Sequence, residues 1–199
     1  MSTKTKILDA AEILFADKGF NGTSLREITG QAEVNLAAVN YHFGSKKELI
    51  KAVMSRYMNE LSPRLESSLN TLCLEERQPT LIDVFSAFIE PLLHLNSFKE
   101  NGTTIFLQLL GRGYTDSQGF LRWFLTTQYP GVITNFTQAV RKAYPELSAE
   151  EMFWRLHFTM GTIVFTMSSS DALIDIAQND FDRHVDIAGV IKQVIPYVA

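Results

Sequence analysis

The 199-residue sequence predicts an all-α protein of about nine helices, on three grounds. Apolar residues recur at three- and four-residue spacing along most of the chain. Ser–x–x–Glu capping signatures precede several of those runs. Alternating β-branched runs bounded by turn dipeptides are nearly absent, and the pair Asn21-Gly22 lies between helical patterns.

Each element follows from its own signals. Ile7, Leu8, Ala11, Leu14 and Phe15 mark a first helix, with Gly19 as its C-cap. Ser24 and Glu27 form a capping box for a second helix, which ends in a turn over Ala32-Glu33-Val34-Asn35. Asn35 caps a short third helix closing near Phe43-Gly44. Ser45 and Glu48 open a long fourth helix through Leu49, Ile50, Val53, Tyr57 and Leu61, which Pro63 kinks or helps to end. Further helices are expected from Thr80 to about Leu95, bent near Pro91, and from Thr103 to about Arg112. Another runs from Ser117 to Ala143, interrupted around Tyr129-Pro130-Gly131. A box at Ser148 and Glu151 starts a helix to about Ser169, and a last helix covers about Asp182 to Val194, stopping near Pro196. No repeat or flexible linker separates these elements. The helix from Ser45 must therefore join a small unit, residues 1–47, to a larger one, residues 48–199.

Composition narrows the function classes. With 46% apolar and 20% charged residues the chain is neither disordered nor fibrous. It has no uncharged apolar run of about 18 residues, so a membrane span is not expected. The opening MSTKTKILDA lacks a secretory h-region, and the single cysteine, Cys73, fits a reducing compartment, so a cytoplasmic location is expected. The net charge of −4 argues at first against nucleic acid. Residues 1–60, however, carry eight Lys/Arg against seven Asp/Glu, and the rest carry ten against fifteen. Phenylalanine is skewed the other way, with three of its 14 copies before residue 60. Catalysis has little support. His42, His94, His157 and His184 are scattered without metal spacing, and neither a phosphate loop nor a nucleophile elbow occurs. No cofactor is expected.

A long helix followed by two short ones across a tight turn fits a helix-turn-helix, whose second short helix enters the major groove of DNA. A small helical bundle with a polar exterior has the same outline. The segment TSLREITGQAEVNLAAVNYHFGSKKELI, residues 23–50, preceded by ILDAAEILFADKGF, resembles the N-terminal signature of TetR/AcrR-type transcriptional regulators. Glu33 stands where that family often has Gly, Leu36 where a polar residue is common, and Asn40 where Tyr is frequent. By this resemblance Thr23, Ser24, Tyr41, His42 and Lys46 face the phosphate backbone. Arg26, Asn35, Ala37, Ala38 and Asn40 are placed for base edges: Arg toward guanine, Asn toward adenine, Ala toward a thymine methyl. Ile28, Val34, Val39, Phe43 and Leu49 are expected in the core, and Lys47 and Lys51 on a solvated face. A packing role competes with the phosphate role for His42.

The body carries two further expectations. Residues 152–167 are apolar nearly all round a helix, so a partner subunit is expected on one face. With the last helix this gives the four-helix homodimer interface implied by the resemblance, through Phe158, Thr162, Phe165, Thr166, Ile187, Ile191 and Val194. A two-fold dimer in turn implies a palindromic operator. A central strut within one subunit is the competing reading. Phe88, Phe106, Leu110, Trp123, Phe124 and Phe153 could enclose an apolar effector, with Arg112, Arg122, Arg155 and His157 as its polar company. Plain core packing, with the arginines paired to Glu90, Asp116 or Glu151, is the alternative. The stretches FLQLLGRGYT and AEEMFWRLHFTMGTI are similar to the PsrA-type subgroup, which implies a fatty acid or acyl-CoA effector. The combined expectation is a ligand-responsive regulator, a repressor by preference. A helical lipid-binding or protein-interaction module without DNA binding is the competing function.

Overall fold

The computed structural model describes residues 1–116 and 118–199, and is helical throughout its ordered elements. Three helices form the N-terminal head: α1 (Thr3–Gly22), α2 (Leu25–Gln31) and α3 (Leu36–Phe43). The long α4 (Lys46–Leu74) runs from the head into the body. The body continues with α5 (Leu81–Ser86), α6 (Ile89–Phe98), α7 (Gly102–Asp116), α8 (Gln118–Gln128) and α9 (Pro130–Ala143). It ends with α10 (Ala149–Ser168), α11 (Ser170–Phe181) and α12 (Ile187–Val198).

Among the described residues this makes twelve helices where about nine were expected, and each extra one has a local cause. A box of Thr80 and Asp83 opens α5, and the chain breaks at Ala87-Phe88 rather than at Pro91. Pro91 falls in the first turn of α6, where its missing N–H costs no helical bond. The expected interruption at Tyr129 separates α8 from α9, with Pro130 opening α9. Ser117, the expected start of that segment, lies outside the described residues. α11 was not anticipated. It follows a run of serines that reads as a helix end, and Ser169 gives it no side-chain cap. The last helix starts at Ile187, capped by Asp186, and runs past Pro196 to Val198.

The capping residues act largely as expected. Ser24 and Glu27 close a reciprocal box, and so do Ser148 and Glu151. Ser45 accepts from the Glu48 N–H, but Glu48 turns to Lys51 at 2.6 Å instead of returning to the cap. Gly19 does not sit at a simple helix end. It breaks α1 near its close, with φ of 80° and ψ of 171°. Pro63 lies inside α4, which continues to Leu74.

One core runs from head to body. Ile7, Phe15, Ile28 and Val39 join Leu49, Val53, Tyr57 and Leu65 of α4, and then Leu95, Phe106, Leu109 and Phe124. α1 packs most extensively on α7, and α4 on α9. Under α1, the fully buried Glu12 carboxylate meets Lys99 and, at 3.3 Å, Arg56, which also binds Asp9 at 2.8 Å. Burial and the Glu12 carboxylate push the Tyr57 phenol up from its ordinary pKa. A smaller cluster of Leu107, Val190, Ile191 and Ile195 holds α12 on the body.

Candidate nucleic-acid interface

The head presents one face of α3. Val39 and Phe43 are buried and anchor the helix, whereas Leu36, Ala37, Asn40 and Tyr41 are exposed. Those four positions, spaced by one and four, make a single outer stripe. Glu33 sets the entry to α3 by taking φ of 55°. Asn35 then caps the helix, its Oδ1 accepting from the Ala38 N–H at 3.0 Å.

The ten residues expected at DNA do not all stand alike. Ser24 and Arg26 are exposed at the start of α2. Thr23 is corrected: it is 1% exposed, and its hydroxyl donates inward to the carbonyls of Leu14 and Gly19 at 3.0 and 2.8 Å. It orders the turn rather than offering a donor to phosphate. Asn35 has its amide oxygen engaged by the cap, which leaves its NH₂ group for reading rather than the two-point contact that adenine takes. Ala37 and Asn40 are open on the stripe, and Ala38 is half-buried against the core. Tyr41 is 85% exposed and meets His42 edge-on at 5.0 Å. His42 is half-buried, also edge-on to Phe43 at 6.2 Å, so it packs as well as faces outward. Lys46 opens α4 beside the Ser45 cap, where the helix N-terminus favours anions.

Two features escaped the sequence. Leu36, noted only as a departure, is 41% exposed at the leading end of the stripe, where an aliphatic group suits a thymine methyl. Lys47 and Lys51 do not simply project into solvent: their ammonium groups lie 5.7 and 4.6 Å from the ring centre of Trp123 on α8. Lys18 is engaged by Glu27 at 3.0 Å, while Arg26, Lys46 and Lys47 have no acidic partner among the described residues.

The expected effector set is not gathered at one cavity. Phe106 stacks on Tyr57 and Phe124 on Phe120, both buried in the main core. Phe88 packs edge-on against Phe136, and Leu110 bridges the two apolar clusters. Arg112 reaches α1, Trp123 meets the lysines, and Arg122 is exposed beside it. Phe153 is exposed against His157 and Trp154. Of the ten, Arg155 alone lines a cavity of about 260 Å³ between α5, α9, α10 and α12, whose apolar wall includes Leu81, Phe85, Val140, Met152 and Leu156. Its guanidinium lies 5.9 Å from the Tyr144 ring centre. His157 lines a neighbouring open groove on α10, and Phe158, Thr162 and Tyr197 border both.

The expected dimer residues divide in two. Phe158 and Phe165 are 67% and 70% exposed on α10, with Thr162 and Thr166 lining the same groove. Ile191 is corrected: it is buried within the subunit, with Ile187 and Val194 packed against the same cluster. α12 therefore turns Ile191 inward, and among the expected dimer residues the exposed aromatic side chains belong to α10. Among the described residues no three His, Cys, Asp or Glu gather as a metal site. Residues 81–98 are apolar on average, but they include Asp83 and Glu90 and divide into α5 and α6. Each of these helices is shorter than the ~20 residues a span needs.

Comparison with known proteins agrees with this geometry. The family described as "Bacterial regulatory proteins, tetR family" matches residues 7–53. The one described as "Tetracyclin repressor-like, C-terminal domain" matches residues 86–199, more than half of the chain. YttP of Bacillus subtilis (strain 168), described as a probable HTH-type transcriptional regulator, is 37% identical over 84 residues, 42% of this chain and 41% of YttP. The chain thus aligns with about two fifths of that relative's length. HlyIIR, a hemolysin II transcriptional regulator, has a similar fold, with a TM-score of 0.59 at 18% identity, covering 98% of this chain and 96% of HlyIIR. A Clostridium perfringens protein described as a candidate fatty acid metabolism regulator gives 0.53 at 20% identity, over 97% and 96%. These relatives are regulators rather than enzymes.

Proposed function

The chain belongs to the tetR family of bacterial regulatory proteins, and on that premise we propose that it is a cytoplasmic, homodimeric transcriptional repressor that binds a palindromic operator. The observation that carries this reading is the stripe of Leu36, Ala37, Asn40 and Tyr41, held outward by the buried Val39 and Phe43. Residues 1–47 act as the reading head and residues 48–199 as the effector-binding and dimerisation domain, with α4 continuous between them. Ser24, Lys46 and the α4 N-terminus hold phosphates, while the stripe and Arg26 read base edges.

The effector is an apolar acyl compound with an anionic head, as in the PsrA-type subgroup. Arg155 at the rim of the apolar cavity supports this, because an arginine fork matches a carboxylate or phosphate. A volume of about 260 Å³ falls below the roughly 300–1,000 Å³ of small-molecule pockets, so a long chain requires α5 or α10 to yield. Binding must favour a dimer geometry in which the two heads no longer match major grooves about 34 Å apart.

Selection from random duplex DNA tests the reading directly: a two-fold symmetric sequence is expected to emerge, and failure to enrich any sequence overturns it. Lys46→Ala should weaken binding to all sequences and lower the salt slope by about 1, while Asn40→Ala relaxes preference at one position. Equal loss on selected and random DNA removes Asn40 from base reading. Fatty acids and acyl-CoAs of graded length, titrated against the bound operator, identify the effector by release.

A further inference from the structure

Arg112 and Asp116 lie four residues apart on one face of α7, the spacing at which opposite charges pair along a helix. Here both reach across to α1 instead. The Arg112 guanidinium donates to the carbonyls of Ala16 and Asp17 at 3.4 and 2.5 Å, close to where the break at Gly19 interrupts helical bonding. Asp116 Oδ2 accepts the N–H groups of Phe20 and Asn21 at 2.7 and 3.2 Å. The Asn21 amide donates back to the Asp116 carbonyl at 3.3 Å. The body thus satisfies backbone acceptors before the break and backbone donors after it.

The approach of α7 to the break is close at Gly19 and in ordinary packing contact at Gly113. Gly19 has φ of 80°, and a Cβ there would stand 2.7 Å from the Asp116 carboxylate. The Phe20 ring comes within 3.4 Å of where a Gly113 Cβ would be, one turn earlier on α7. Thr23 then returns its hydroxyl to the Gly19 carbonyl, so residues 19–23 are held from both sides, immediately before Ser24. Charge-assisted bonds of this kind are the stronger class.

We propose that Asp116, assisted by Arg112, is a positioning residue for DNA binding: from the body it fixes the turn that presents Ser24 and the α2 N-terminus to a phosphate. The proposal rests on the DNA-binding reading and deepens it. Without the carboxylate, residues 19–24 must be ordered during binding, and that entropy is taken from the affinity.

The test uses the full chain, the operator obtained by selection, and amide hydrogen exchange without DNA. D116A should bind the operator about tenfold more weakly with an unchanged salt slope, because every phosphate contact is still made in the complex. D116N, which keeps an acceptor oxygen, should stay within about threefold of wild type. The Phe20 and Asn21 amides should exchange at least about tenfold faster in D116A, while that of Leu14 does not change. Wild-type affinity in folded D116A, no advantage of Asn over Ala, or unchanged exchange at Phe20 and Asn21 overturns the proposal. Should D116A not fold, R112A carries the same expectation at about threefold, and no loss there overturns it. A wild-type protein that selects no DNA removes the regulator reading, while the exchange result still decides whether the turn is held from α7.

Discussion

Glu33 occupies the left-handed region with φ of 55° in the turn between α2 and α3. Among the described residues the other non-glycines with positive φ are Asn101 and Asp182, the types that tolerate it best. The exposed Glu33 side chain makes no compensating hydrogen bond among the described residues, so its backbone strain is uncompensated. Glu33→Gly should therefore raise stability by about 0.5–1 kcal/mol, or roughly 2 °C in a thermal melt, after the larger entropy of a glycine in the unfolded chain. A melt at or below the wild-type midpoint would show that the turn is not strained. The need for a special residue here was legible, since Glu33 stands where glycine is frequent in the resembled signature. The destinations of Thr23 and Arg112 were not legible. Thr23 turns to carbonyls four and nine residues back, and Arg112 to an acceptor 96 residues away, and no local pattern encodes either.

At the scale of elements, capping chemistry was the most readable signal because a cap and its partner sit three residues apart. Ser24 with Glu27 and Ser148 with Glu151 formed as read, and Thr80 with Asp83 adds a third box. In each the carboxyl is held below its ordinary pKa. Glu27 falls from 4.5 to about 2, chiefly through the Ser24 N–H, then Lys18 and the Ser24 hydroxyl. A lowered folded value means stabilisation present above 4.5 and lost as the pH falls through about 2. The acid-side drop in melting temperature between those values should therefore be shallower in Glu27→Gln than in wild type. An identical slope in the two proteins would exclude this box from the acid response. Where neither a cap nor a proline marked the start, the reading failed: α11 has no side-chain cap and was missed, and α6 begins without one, whereas the uncapped α9 was legible from Pro130. Helix ends can also be completed from afar, as when Lys142 of α9 donates to the carbonyls of Leu72, Cys73 and Glu75 at the end of α4.

At the scale of the whole molecule, the split of charge and phenylalanine between head and body foreshadowed two kinds of surface. Exposed apolar side chains gather on α10 and α11, with Trp154, Phe158 and Phe165 on the first and Ile176 and Phe181 on the second, while α12 buries Ile191 and Ile195. Of α10 and α11, the former carries the expected interface aromatics Phe158 and Phe165, so the proposed dimer is tested there. Phe158→Glu should shift the protein to monomer in sedimentation at micromolar concentration, with its helical content retained. A variant that still sediments as a dimer would move the interface elsewhere. The inward turn of α12 depends on a small cluster between distant elements, which is why the apolar pattern of the last helix, read with the resemblance, assigned Ile191 to a partner.

Pro63 gives α4 a mechanical property that neither half of the helix has alone. At 1.5 Å per residue, about 26 Å of helix separates it from Lys46. Proline both removes an internal bond and crowds the carbonyl four residues earlier, here that of Asn59, so bending concentrates at this point. A change of about 10° there sweeps the Lys46 end through roughly 4–5 Å, close to one helical turn. α4 thus carries its most compliant point well inside the body, so any bend at Pro63 would be read out about 26 Å away, where the helix opens onto the head.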